Sequence, residues 1–423
     1  MHKAPWLSAP LILAGLLRNQ RLRQDELVAL QNRKLRRLIK HSFENVPYYN
    51  RLFRESGIRP EDIRTVSDLE KIPLSKKSDL CDLPLSEISV SNVSLVHNNL
   101  AGTSGSSGVK LQFYREKREL LTNLLRHYLF QLEVGDKISN RHASVGGAWL
   151  PSTPFQRFGI FPTRWVSPFS DTKMQIRQIK QFKSKALIGL PSSIREIAKQ
   201  VIDGQIDLRV SFVFGGGEML DSYTRGLAEK AFGAEVFSVY GMTEAGGICG
   251  ECRLHHGQHV WSDQVIVETT RDGERAFPGE TGSIVVTVLN RFSTPFIRYD
   301  TEDLGMLLDG DCPCGSRFHR MEITEGRSSD VVLLNDGRVI PAHELTVPLA
   351  AMQGIRQIQV TQESIGRFTG KIVKDKGFDY GLPKKIVDFL KKDLGEVEVE
   401  VFIVDNIPRL KSGKLKLFIS KIK

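Results

Sequence analysis

The chain has 423 residues, enough for two or three domains, and its composition of 40% hydrophobic and 26% charged residues is that of an ordinary folded protein. A net charge of +10 favours anionic ligands such as a nucleotide, CoA, RNA or a membrane surface, yet no compact basic and aromatic cluster points to nucleic acid. Five cysteines, four of them in two tight pairs (Cys249/Cys252 and Cys312/Cys314), are not a secreted disulfide framework. The apolar run Pro10–Leu17 is shorter than the roughly 20 residues a membrane span takes, and it lacks a clean cleavage site. Trp6 to Leu22 could lie on a membrane as an amphipathic helix, but packing on the protein is the expectation, and the cytoplasm is the expected compartment.

In chain order, Leu22, Leu27, Leu30, Leu35, Leu38 and Ile39 recur at helical spacing, predicting a long helix over 20–45. It continues from His41 to Phe53 with a break near Val46-Pro47. A short helix is expected within 64–83, capped by Thr65 and stopped by Pro73, followed by an extended stretch over 85–99. Then comes Thr103, Ser104, Gly105, Ser106, Ser107 and Gly108, with Lys110 just beyond. This run has no apolar face; it offers hydroxyls, backbone N–H groups and glycines, the means of cradling a phosphate chain, although a plain surface linker would read the same way. Its spacing is not that of a Walker A loop. A strand at 111–114 and a helix at 116–132 follow, which puts the loop between two strands.

From 143 to 239 short apolar strands alternate with helices: strand 186–190, helix 192–202, strand 209–214, helix 221–232 and strand 234–240. That rhythm predicts a largely parallel sheet, whose ligands sit beyond the carboxyl ends of the strands. Two consecutive strands end there in GGGE (215–218) and YGMTE (240–244). Residues 264–289 and 295–308 turn β-rich. Beyond Asp330 a hairpin at Asp336-Gly337 opens a separate α+β region of about 90 residues. Its strands are expected at 355–361, 368–374 and 397–404, with helices at 343–352 and 381–394. The stretch from Ile407 to Lys423 is basic, with Arg409, Lys411, Lys414, Lys416, Lys421 and Lys423 and no acid.

Five stations thus stand in order: TSGSSG (103–108), GGGE (215–218), YGMTE (240–244), RYDTED (298–303) with GRSSD (326–330), and PRLKSGK (408–414). Their order and spacing resemble the adenylate-forming superfamily of acyl-CoA synthetases, adenylation domains and luciferases. Within it the chain is most similar to the phenylacetate–CoA ligase branch and its CapK-type relatives from capsule and exopolysaccharide clusters, also in the run RLIKHSFENVPYYNRLFRESGIRPEDI (37–63). The resemblance implies an α/β fold: a large N-terminal ATP- and acid-binding domain (1–329) with mixed or parallel sheets and a β-rich subdomain, and a small mobile α+β domain (330–423).

The same resemblance implies roles. Thr103 to Gly108 would wrap the ATP phosphates. Lys110 stands one place later than the family's lysine. Gly215, Gly216, Gly217 and Glu218 would run along the adenine, Tyr240 would stack on it, and Gly241 and Met242 complete that turn. Thr243 would hydrogen-bond the α-phosphate, and Glu244 would hold Mg²⁺. Asp303 would accept the ribose hydroxyls, and Arg327 would reach the ribose and phosphates. Asp330 would be the hinge. Lys414 would stabilise the pentavalent α-phosphorus as a carboxylate displaces pyrophosphate. An acyl-adenylate would form, and CoA would then take the acyl group. Transfer to a carrier protein or to an amine, such as an amino sugar in polysaccharide biosynthesis, is the alternative, and a non-catalytic nucleotide-binding relative the second. The acid would lie near 144–154, 167–170, 191–193 and 215–217, where Val145, Trp149, Phe155 and Phe169 favour an apolar or aromatic acid. Branch relatives are often dimers, so a homodimer is expected as an option.

Separately, Cys252 with His255, His256 and His259, joined by Cys312 and Cys314, offers thiols and imidazoles enough for tetrahedral zinc; reduced buried cysteines would be the plain reading. CapK-type members share this pattern, which implies Cys252, His259, Cys312 and Cys314 as ligands, with His255 or His256 able to replace His259. Four protein ligands leave no open position, so a structural ion is expected rather than a catalytic one.

Overall fold

The computed structural model describes residues 5–91, 93–95, 97–103, 110–146, 153–327 and 331–422, the side chains of residues 5 and 325–327 excepted. The chain divides into two compact units, residues 1–138 with 237–324 and residues 139–236 with 325–423.

In the first unit, the helix predicted over 20–45 is Gln24–Asn45, preceded by Ala9–Asn19. Leu35, Leu38 and Ile39 of its inner face are fully buried. Pro47 opens the next helix, Pro47–Glu55, since its missing N–H costs nothing at a helix start. Strands Glu235–Met242, Gly246–Glu251, Gln258–Val260, Arg320–Arg327, Tyr299–Leu308, Gly282–Val288 and Val265–Arg271 lie side by side in that order. The core between helices and strands is built by Tyr49, Phe53, Ile248, Phe296 and Tyr299. The extended stretch expected over 85–99 differs: Leu85–Ile88 is a helical turn, started by Pro84, whose carbonyl accepts the Glu87 N–H at 2.9 Å. Extended structure begins only at Asn98, in a strand (Asn98–Gly102) paired antiparallel with Gln112–Glu116. Likewise 64–83 holds a 3-10 turn, Val66–Lys71, and a separate helical turn, Lys77–Cys81.

In the second unit, four short parallel strands run in the order Phe212–Gly216, Ala186–Gly189, His142–Val145, Thr163–Val166. Their apolar side chains are covered by the helices Thr172–Gln181, Pro191–Asp203 and Ser222–Phe232, as parallel strands require. Asp221 starts the last of these, its carboxylate accepting the Thr224 N–H at 2.7 Å, and Gly233 ends it in the left-handed region at φ 66°. The remainder of the unit has a core of its own. There strands Glu398–Val404, Arg367–Lys374, Ile355–Ser364 and Phe418–Ser420 form a mixed sheet, with helices Ala342–Ala351 and Leu382–Leu394 packed on it. The fold is mixed α/β with a β-rich part and a C-terminal α+β part, as the sequence implies.

Candidate functional site

In the first unit, the Ser/Gly loop springs from the hairpin of Asn98–Gly102 and Gln112–Glu116. Thr103 closes its base: its N–H donates to the Leu111 carbonyl at 3.0 Å, and its Oγ1 accepts the Leu111 N–H at 3.1 Å. Ser104, Gly105, Ser106, Ser107 and Gly108 lie outside the described residues, and Lys110 is exposed.

Tyr240 to Met242 end a strand that turns straight back into Gly246–Glu251. A Cβ on Gly241 would fall 2.4 Å from the Gly246 carbonyl oxygen, so only glycine lets the two strands come this close. Thr243 is exposed at the tip, and Glu244 is buried. Tyr299 donates its phenolic O–H to Glu244 Oε1 at 3.3 Å, and burial followed by the Glu244 charge pushes that phenol far up, which keeps it a donor. The Glu244 backbone carbonyl accepts from the Arg291 guanidinium. Arg291 is fully buried and forks onto Glu119, with Nε 3.0 Å from Oε2, so a buried ion pair sets the backbone on which Glu244 stands. Nearby, the Tyr240 phenol donates to Asp303 Oδ2 at 2.7 Å. Arg291, Glu119 and Tyr299 escape the sequence reading, because a pair 172 positions apart leaves no local pattern.

In the second unit, Gly215 and Gly216 end a buried strand, and Gly217 turns the chain at φ 80°. Glu218 points back into the protein. Its Oε2 accepts the Ser192 N–H at 2.9 Å, while Oε1 accepts the Ser192 Oγ–H at 3.1 Å and the Leu415 N–H at 3.0 Å. Lys414 sits on a tight turn closed by Gly413 N–H to Leu410 O at 2.7 Å and Leu410 N–H to Lys414 O at 2.9 Å. Gly413 has φ 84°, and a Cβ there would meet Pro168 Cγ at 2.7 Å. The half-buried Lys414 thereby lies against the glycine loop: a Cβ on Gly217 would be 3.9 Å from Lys414 Cε. Around the expected acid pocket, Val145 is instead part of the strand core, Phe169 is 60% exposed and Phe155 is partly buried. Trp149, the Arg327 side chain and Asp330 lie outside the described residues.

A separate cluster occupies the first unit. Cys252, His259, Cys312 and Cys314 hold their Sγ and ring-nitrogen atoms within 4.8 Å of one another. Tetrahedral zinc, with Zn–S near 2.3 Å and Zn–N near 2.0 Å, requires ligand separations of about 3.8 Å between sulfurs and about 3.5 Å between sulfur and nitrogen. Cys252 Sγ and Cys312 Sγ are 3.8 Å apart, and Cys314 Sγ and His259 Nε2 are 3.5 Å apart. The sulfur spacing is far too long for a disulfide, near 2.05 Å, so these thiols converge without bonding to each other. Burial, with Arg320 and Arg126 beyond it, holds His259 down to about 4, which keeps its imidazole a neutral lone-pair donor. His255 is engaged elsewhere, with Nδ1 3.2 Å from Glu251 Oε1 and its ring stacked on Phe237.

Comparison with known proteins places this architecture. Residues 332–421 match the CapK C-terminal domain. A phenylacetate–coenzyme A ligase of Thermus thermophilus is 26% identical over 80% of this chain and 79% of its own length. The protein CapK of Staphylococcus aureus is 22% identical over 96% of this chain and 92% of its own. Among solved structures, a 2-hydroxyisobutyryl-CoA ligase in the postadenylation state in complex with R3-HIB-AMP superposes with a TM-score of 0.79 at 19% identity, covering 96% of this chain and 92% of that one. The fold is that of an adenylate-forming protein. The chain is similar along most of its length to the phenylacetate–CoA ligases and to CapK, and its residues 332–421 form a CapK C-terminal domain.

Proposed function

We propose that the protein activates a carboxylic acid with ATP and transfers the acyl group to CoA. The observation that carries this reading is the Lys414 turn, pinned by the Glu218 carboxylate against the glycine loop of the parallel strands. A lysine held there places a cation where charge builds on the α-phosphorus as the carboxylate oxygen attacks it. The bond to pyrophosphate breaks with the electron pair leaving on the pyrophosphate oxygen. The product is a mixed anhydride. The CoA thiol, giving up its proton, then attacks the acyl carbon, and AMP leaves. Little protein chemistry is needed beyond orientation and charge neutralisation.

In this reading Asp303 accepts the ribose hydroxyls, Tyr240 stacks on the adenine, Thr243 at the exposed tip meets the α-phosphate and Arg327 the ribose side. Glu244 carries the carboxylate that suits Mg²⁺, an ion that would neutralise the phosphate oxygens; its buried position on Arg291 fixes where that charge stands. The Cys252, His259, Cys312 and Cys314 cluster fits a structural zinc, because four protein ligands within 4.8 Å of one another would fill a tetrahedral ion and leave no site for substrate. Among the described residues no helix is long and apolar enough to cross a membrane. ATP and CoA as substrates favour a cytoplasmic setting.

The test is pyrophosphate release with ATP, Mg²⁺ and a panel of aromatic, fatty and hydroxy acids, for the wild type and Lys414→Ala. Release that one acid triggers and the substitution lowers by about a hundredfold or more supports the reading and names the acid class. An acyl-CoA product then assigns the acceptor. ATP binding without release for any acid would overturn it.

A further inference from the structure

One face of the helix Pro191–Asp203 is given over to a single task. Ser192, Glu196, Lys199 and Asp203 follow one another at spacings of four, three and four, so they line one side of the helix. Each meets the C-terminal α+β part of the same unit. Ser192 Oγ accepts from Arg409 Nη1 at 3.0 Å, and Glu196 Oε1 accepts from Arg409 Nη2 at 2.6 Å and Gln357 Nε2 at 2.9 Å. Lys199 Nζ donates to the carbonyls of Ile355 at 2.6 Å and Ala350 at 2.9 Å. The Asp203 carbonyl accepts from Lys376 at 3.2 Å. Arg409 also reaches forward to the Gly413 carbonyl at 2.9 Å, the residue before Lys414. The Arg409 and Glu196 side chains are only 7% and 12% exposed, so neither charge is easily replaced by water.

Two carboxylates therefore hold the lysine turn, one at the residue before Lys414 and one at the residue after it. Glu196 acts through Arg409 on Gly413, and Glu218 acts directly on the Leu415 N–H. Both oxygens of Glu218 are already occupied by N–H and O–H donors of the protein, which is not how a side chain waiting for a nucleobase is arranged. Resting on the reading of Lys414 as the lysine of the adenylation step, we infer that Glu218 and Glu196 are positioning residues for Lys414, and that Glu218 acts through that turn rather than on the adenine.

The experiment compares wild type with Glu218→Gln and Glu196→Gln by three readouts: amide hydrogen exchange over residues 410–417, steady-state kinetics of pyrophosphate release, and consumption of purified acyl-adenylate by CoA. Both variants are expected to exchange faster over that turn and to lose about tenfold or more in kcat for pyrophosphate release, the effect of one charge-assisted hydrogen bond. The KM for ATP should stay within about twofold, since uniform nucleotide binding is untouched, and adenylate consumption should match wild type. A raised KM for ATP with unchanged kcat and unchanged exchange would make Glu218 a nucleotide ligand and overturn the inference. If either variant fails to fold, Arg409→Lys tests the same hold, because lysine keeps the charge but cannot span Glu196, Ser192 and Gly413 together. If wild type releases no pyrophosphate with any acid, the reading of the reaction fails on its own. Hydrogen exchange then still decides whether the carboxylates hold the turn, and unchanged exchange sinks that claim.

Discussion

The Tyr240 phenol and the Asp303 carboxylate are joined by a 2.7 Å hydrogen bond, across 63 positions of chain, in the first unit. Burial first, and then the Asp303 charge, push the Tyr240 phenol well above its usual range, so it remains a donor at any working pH. The bond holds the ring and the carboxylate to each other, and in the proposed reading the ring face stacks on the adenine while Asp303 accepts the ribose hydroxyls. Asp303→Ala should therefore raise the KM for ATP by roughly tenfold to a hundredfold, the cost of losing a charged acceptor of two hydroxyls. Tyr240→Phe keeps the ring and should cost only about fivefold. Comparable effects of the two substitutions would show that the tyrosine hydroxyl matters as much as the carboxylate and would refute this ranking.

Glu244 is held by Tyr299 at its side chain and by Arg291 at its backbone. Glu244→Gln preserves the shape and the hydrogen bond while removing the charge. Pyrophosphate release should fall by roughly a hundredfold, with a higher Mg²⁺ concentration needed for half-maximal rate. A Mg²⁺ titration of the variant that overlays wild type would remove Glu244 from the metal.

What the sequence made legible was the set of strand ends and their loops. Apolar runs closing in GGGE and YGMTE can be seen because strands and turns are local, and the hairpin around Thr103 follows from two short strands flanking glycines. Longer helices such as Gln24–Asn45 showed through their periodicity; the turn Leu85–Ile88 did not, because four residues cannot display a 3.6-residue period. Side-chain employment was less visible. Glu218 reads as part of a nucleotide loop, yet its oxygens are spent on Ser192 and Leu415, 26 and 197 positions away. Val145 reads as pocket lining and lies in the core, since an apolar residue on a parallel strand is covered on either face. Convergence of Cys252 and His259 with Cys312 and Cys314 was suggested by spacing and resemblance, but the choice among three histidines depends on which way each ring faces.

That cluster predicts metal content. The protein as isolated should carry about one zinc per chain, and Cys312→Ser should lose it and lower Tm by several degrees, because a metal site contributes directly to folding. Cys249→Ser is the control. Its buried thiol donates to Gln258 Oε1 at 2.9 Å and is outside the cluster, so zinc should be retained. Zinc measured equally in both variants, or in neither the variants nor wild type, would refute the assignment.

Acid sensitivity should be traceable to His127. Its ring packs edge-on against Trp261 at 4.7 Å, and burial followed by the neighbouring Arg126 charge lowers it from 6.5 to about 4. The folded chain thus holds a neutral imidazole where the unfolded chain takes up a proton. Its contribution to stability is complete above about pH 6.5 and is lost as pH falls from there through about 4. The full difference is about 3 kcal/mol, of which about 2 kcal/mol should disappear between about pH 7 and about pH 5. Most carboxylates have yet to titrate in that window. Urea unfolding at those two pH values should show the loss in wild type. His127→Gln should be less stable than wild type at the higher pH because of imperfect packing, yet show a clearly smaller drop on acidification. An equal drop in both proteins would mean that other groups carry the acid sensitivity.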